Sequence, residues 1–123
     1  MSESCKSVDI NGVRYVRADF AEPAQKKDGM KYVIIRPGKA SSVCAGYLKS
    51  ESGTRVELVD SRRIWYWKGA NTLSDLALYG VKVPDQCKFS PPLPEHIILD
   101  AAEIISCTEA GRLSIQGVPE WKA

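Results

Sequence analysis

The 123-residue chain predicts an α+β fold: a small, mainly antiparallel β-sheet with one or two short helices and an N-terminal β-hairpin. Three observations carry that expectation. Short β-branched runs recur along the chain, divided by Gly, Ser and Pro turn signals and not by helical periods. One segment, near residues 72–80, combines a capping residue, an apolar face and a glycine stop. Near the start, Asn11-Gly12 joins two short apolar runs. Asn-Gly is the strongest two-residue hairpin signal, because both central residues of a type I′ turn take positive φ.

Residues 1–7 are polar, and Val8–Val16 forms the expected hairpin. Ala18–Gly29 has no apolar period and reads as a linker or surface loop. The chain therefore divides into 1–29 (tail, hairpin and linker) and 30–123, a single β-rich domain. That domain opens on Lys31-Tyr32-Val33-Ile34-Ile35-Arg36, apolar on both faces and so central in a sheet. Ser42–Lys49 is the next strand, and Gly46 in its interior marks a bulge or a close backbone approach. Ser52-Gly53 turns the chain into Thr54–Asp60, where Val56 and Leu58 alternate with Arg55 and Glu57. The following segment continues the same strand after a bulge near Ser61, or starts a new one.

Asn71 or Thr72 caps the clearest helix, Asp75 completes a Thr-x-x-Asp box, and Gly80 stops it. Leu73, Leu76 and Ala77 form its apolar face. Ile97–Leu99 and Ala101–Ile105 read equally as one strand kinked at Asp100 or as a strand and then a helix. Thr108 caps a short helix ending at Gly117, after which Trp121 is expected to lie over the body.

Composition excludes several classes. A formal charge of +2 is weak for a protein that coats duplex DNA. No apolar run approaches the roughly 18 residues of a membrane-spanning helix, and Met1–Lys6 lacks the order of a secretory signal, so a cytoplasmic protein is expected. Cys5, Cys44, Cys87 and Cys107 are dispersed, with no C-x-x-C pair and only His96 to join them; unpaired structural thiols and no metal are expected. The nucleophile-elbow, zinc-helix, phosphate-loop and dinucleotide motifs are absent, so neither an enzymatic role nor a cofactor is expected. His96 reads as a surface residue at a strand start.

The informative stretch is Ser61-Arg62-Arg63-Ile64-Trp65-Tyr66-Trp67-Lys68, which places three cations and three large aromatics in eight residues. In a continuous strand Arg63, Trp65 and Trp67 share one face, with Arg62, Ile64, Tyr66 and Lys68 on the other. Flat rings beside planar donors suit a base and its phosphates, or anchor a protein partner. The candidate ligand-binding residues are Arg62, Arg63, Trp65, Trp67 and Lys68, joined by Arg36. Arg36 precedes Pro37-Gly38-Lys39-Ala40-Ser41-Ser42, a loop whose backbone N–H groups can meet phosphate oxygens. The bland alternative is that the indoles pack inward and the cations are solvated or paired with Asp60.

Several runs carry a resemblance: Lys31–Arg36, Ala45-Gly46-Tyr47-Leu48, the block Arg62–Ala70, Leu73–Ala77, Cys87-Lys88-Phe89, Cys107-Thr108-Glu109 and Val118–Trp121. Across residues 31–121 the chain resembles a family of small uncharacterised proteins of tailed bacteriophages and prophages. In size and residue types it is also similar to phage anti-defence "sponge" proteins, which sequester nucleotide immune signals without cleaving them. The resemblance implies a phage accessory protein acting in the host cytoplasm.

The leading expectation is thus a non-catalytic binder of a small nucleotide, with a cyclic immune signal as the candidate. The alternative is a module that inhibits a host protein through Trp65, Tyr66 and Trp67. The second alternative is single-stranded nucleic-acid binding, which the modest charge disfavours. Exposed sheet edges predict a homo-oligomer.

Overall fold

Side-chain alternation reverses inside the longest strand, so its even-numbered apolar residues serve both faces of the sheet. The computed structural model describes residues 7–10, 13–16, 22–39 and 42–121. In order they form β1 (Ser7–Ile10), β2 (Val13–Val16), β3 (Tyr32–Pro37), β4 (Val43–Ser52), β5 (Arg55–Tyr66), α1 (Leu73–Tyr79), β6 (Lys88–Phe89), β7 (Leu93–Ile98), β8 (Ala101–Ser106) and α2 (Glu109–Gly117). β1 and β2 pair antiparallel with Ile10 opposite Val13, the register of a hairpin that reverses in two residues. Those two, Asn11 and Gly12, lie outside the described residues, as does Cys5.

The main sheet is antiparallel and ordered β6-β5-β4-β3-β8, with β7 also on β5. β6 lies beside Ile64 and Tyr66, and β7 beside Val56–Ser61, so the two share one edge of β5. Only Leu99 and Asp100 separate β7 from β8, yet β8 pairs with β3 on the far edge. Such a short link between opposite edges requires the open sheet to curl. The corner is pinned by Ala101 N–H donating to the Thr54 carbonyl and Gly38 N–H donating to that of Asp100. Residues 101–106 are therefore a strand. Their apolar run pairs with β3 at Ile104 and Ile105, and the chain bends at Asp100.

The concave face holds Val33, Ile35, Cys44, Val56, Leu58 and Ile98, all buried. The convex face holds Tyr32, Ile34, Ala45, Tyr47, Ile64 and Phe89, and packs against Leu76, Ala77 and Ile115 of the two helices. Val56 and Leu58 face inward while Ile64 faces outward, although all are even-numbered. A bulge explains this: between the pairs Tyr47–Val59 and Ala45–Arg62, β5 carries one residue more than β4. Asp60 sits there at φ 55, opposite Gly46. A Cβ on Gly46 would stand 3.0 Å from Ser61 Cα, so the bulge needs a glycine across from it.

The helices form where the caps predicted. Thr72 Oγ1 accepts from Asp75 N–H at 3.2 Å, and Thr108 Oγ1 accepts from Gly111 N–H at 3.1 Å. α1 and α2 meet closely at Gly111, where a Cβ would lie 2.1 Å from the Ala77 carbonyl oxygen. Residues 22–27, read as linker, are held by backbone bonds: Ala24 N–H donates to Cys107 O, and Glu109 N–H to Glu22 O. Cys44, Cys87 and Cys107 are buried and free, and burial pushes the Cys107 thiol up to about 12. Among the described residues no helix is long and apolar enough to cross a membrane.

Candidate functional site

After the bulge, neighbouring residues of β5 point to opposite faces, and the two central arginines part company. Arg62 turns to the convex side and is only 3% exposed. Its Nε donates to the Ser90 carbonyl at 2.7 Å and its Nη1 to the Ile115 carbonyl at 2.8 Å. The guanidinium lies 5.3 Å from the centre of the Phe89 ring. Arg62 thereby ties β5 to the segment after β6 and to the last turn of α2. Burial depresses its affinity for the proton, and Nη2 has no hydrogen-bond partner among the described residues. A surface phosphate contact, expected from the sequence, is not open to this side chain.

Arg63 turns to the concave side and is half-buried at its mouth. Its Nη1 donates to Ser42 Oγ at 3.0 Å, and Nη2 approaches His96 Nε2 at 3.4 Å. His96 Nδ1 lies 2.9 Å from Ser61 Oγ. A guanidinium can only donate, so Nε2 is the acceptor and the His96 proton sits on Nδ1, directed at Ser61. Burial, and secondarily the Arg63 charge, hold His96 below its ordinary value, in keeping with a neutral ring. His96 and Ser61 are thus joined by one hydrogen bond. It is the fourth residue of β7, not a surface residue at the strand start, because β7 begins at Leu93 despite the neighbouring prolines. Among the described residues no carboxylate lies within ion-pair distance of Arg63.

The indoles also separate. A second register shift, between Ile64 and Tyr66 against β6, adds one residue at Trp65 and reverses the alternation again. Trp67, past the strand end, packs against the helix-side core. Trp65 stays 51% exposed, so the expected shared face is lost. Trp65 meets Trp121 edge to face, with ring centres 5.4 Å apart. Trp121 is 40% exposed and held by its N–H donating to Phe89 O. The Lys88 ammonium stands 5.3 Å from the Trp121 ring centre. Tyr66, opposite Lys88, is exposed as well.

The other expected contacts lie elsewhere. Lys68 Nζ donates to Gln86 Oε1 at 2.8 Å. Arg36 pairs with Glu103 at 2.8 Å across β3 and β8, on the face opposite Arg63. The candidate site is therefore Arg63 and Trp65, two residues apart on β5, with their separate neighbours Ser42 and His96, and Trp121 and Lys88. The last four carry no local signal linking them to β5. A depression of about 620 Å³ beside α1, lined by Asn71, Asp75, Tyr79, Gly80 and Lys82, includes none of them.

The fold and this corner together define a small α+β domain with an exposed indole pair, and with Arg63 and Lys88 in no ion pair among the described residues. The chain belongs to the DUF6948 family, a domain of unknown function, which covers residues 30–115. That span includes Arg63, Trp65, Lys88 and His96 and leaves out Trp121. No curated protein and no solved structure matches the chain.

Proposed function

We propose that this is a phage accessory protein that binds a small nucleotide without transforming it, removing a cyclic nucleotide immune signal from the host cytoplasm. One observation carries the ligand class: Trp65 is half exposed two residues along β5 from Arg63, a cation that no carboxylate among the described residues neutralises. A base stacks on the free face of Trp65, while Arg63 and Lys88 meet phosphate oxygens. The phage origin rests on the resemblance of the Arg62–Ala70 block. The free edge of β8, with Ile104 exposed on it, supports self-association.

Thermal-shift and tryptophan-quenching titrations with cyclic dinucleotides, cyclic trinucleotides and ADP-ribose derivatives test the reading. A saturable shift lost in Trp65→Ala is expected. Folded protein that responds to none of these ligands would rule it out. A second reading, inhibition of a host protein, is favoured by Tyr66, which extends the exposed aromatic surface beyond Trp65 and Trp121. A stoichiometric protein partner that Tyr66→Ala releases, with no nucleotide response, would select it.

A further inference from the structure

β8 forms one border of the main sheet, and the pairing of β3 fixes which of its backbone groups face outward. Leu48 N–H donates to the Lys31 carbonyl and Cys107 N–H to that of Tyr32, so successive residues of β3 bond alternately to β4 and β8. Carried along the register, Ile34 and Arg36 exchange bonds with Ile105 and Glu103. The N–H and C=O groups of Ile104 and Ser106 therefore point away from β3, where no further strand lies among the described residues. Both residues are exposed, Ile104 at 37%.

The two borders of the sheet are built differently. On the opposite one, β6 is two residues long, and β7 carries an exposed Glu95 and Pro94, which has no N–H. β8 has neither proline nor lysine, and its one charge, Glu103, is engaged by Arg36 at 2.8 Å. Water satisfies the outward groups but leaves Ile104 exposed between them, whereas a strand satisfies the groups and covers the side chain. We propose that the occupant is β8 of a second copy of this chain, paired antiparallel about a two-fold axis at Ile105. Ile104 of each copy then bonds with Ser106 of the other, which uses every one of these outward groups. Charge and geometry select that register. An axis at Glu103 sets two carboxylates face to face, whereas the axis at Ile105 places Glu103 opposite Cys107. An axis at Ile104 sets Ser106 against Ala102, where the register with β3 shifts.

This deepens the self-association within the proposed function and needs no nucleotide, so either reading can fail alone. The test follows the full chain from dilute to NMR concentration by sedimentation velocity and amide hydrogen exchange. A dimer that dissociates on dilution is expected, with the Ile104 and Ser106 amides slowed only in the dimer. The Glu103 and Ile105 amides, bonded to β3, should be slow in both states. Ser106→Pro removes one outward donor from each copy and no bond to β3, and should raise the dissociation constant roughly tenfold or more. Ile104→Lys keeps every backbone donor and sets two ammoniums diagonally across the axis, with the same expected result. It decides alone if the proline variant does not fold. Trp65→Ala should leave the dissociation constant unchanged. A monomer at every concentration would overturn the proposal. So would Ile104 and Ser106 amides that are slow in the monomer, where the chain covers its own edge, or fast in the dimer. A dimer that both β8 substitutions leave intact, or that Trp65→Ala abolishes, would place the interface elsewhere and overturn it too.

Discussion

Arg62 and Arg63 are neighbours in sequence and opposites in environment. Arg62 is sealed on the helix-bearing face, where it donates to two backbone carbonyls from different elements. Arg63, one residue on, sits at the concave mouth with Ser42 and His96 and, among the described residues, without a carboxylate in ion-pair reach. Trp65 and Trp67 differ in the same way: the first is half exposed against Trp121, the second is packed on the core. In each pair one member is tied into the helix-side core and the other is more exposed. A basic or aromatic cluster in a strand is thus two populations, sorted by the pleat and its bulges.

That division can be tested by substitution, beginning with the member expected to matter most for stability. Trp67→Ala should lower the unfolding free energy by about 2–3 kcal/mol, less than a fully buried tryptophan, read as a reduced urea midpoint at constant slope. Arg62→Met should cost about 2 kcal/mol in the same measurement, because the Ser90 and Ile115 carbonyls lose their donor. Trp65→Ala and Arg63→Met should each change stability by less than about 1 kcal/mol. On the proposed function, Trp65→Ala should nonetheless weaken nucleotide binding by roughly tenfold to a hundredfold in titration calorimetry. Equal stability losses for Arg62→Met and Arg63→Met would erase the distinction between the faces.

The smallest effect concerns pH. His96 is held below its ordinary 6.5 in the folded protein, so the unfolded chain takes up the proton first. Stability should therefore be complete above pH 6.5 and decline as pH falls below it, and His96→Gln should flatten that slope in urea titrations. The Glu109 carboxyl, held down to about 2 chiefly by its hydrogen bond from Arg112, acts in a different window. Its contribution is present above pH 4.5 and is lost as pH falls toward 2.

Much of the fold was legible locally. The Thr72 and Thr108 caps, the Gly80 and Gly117 stops and the hairpin register around residues 11–12 each follow from a few adjacent residues. Strand or helix at 101–106 was not legible. An isolated apolar run fits both, and only pairing with β3 selects the strand. The site was half legible. Arg63 and Trp65 stand out in the sequence, whereas Lys88, His96 and Trp121 are ordinary residues until β6, β7 and the segment after α2 carry them to β5.

Short-range chemistry in the chain set the class of fold, the caps, the turns and the identity of the aromatic–basic block. Which of its rings and cations face solvent was decided in three dimensions. Each bulge inverts the pleat for every residue beyond it, and a bulge exists only in relation to the partner strand against which it is counted.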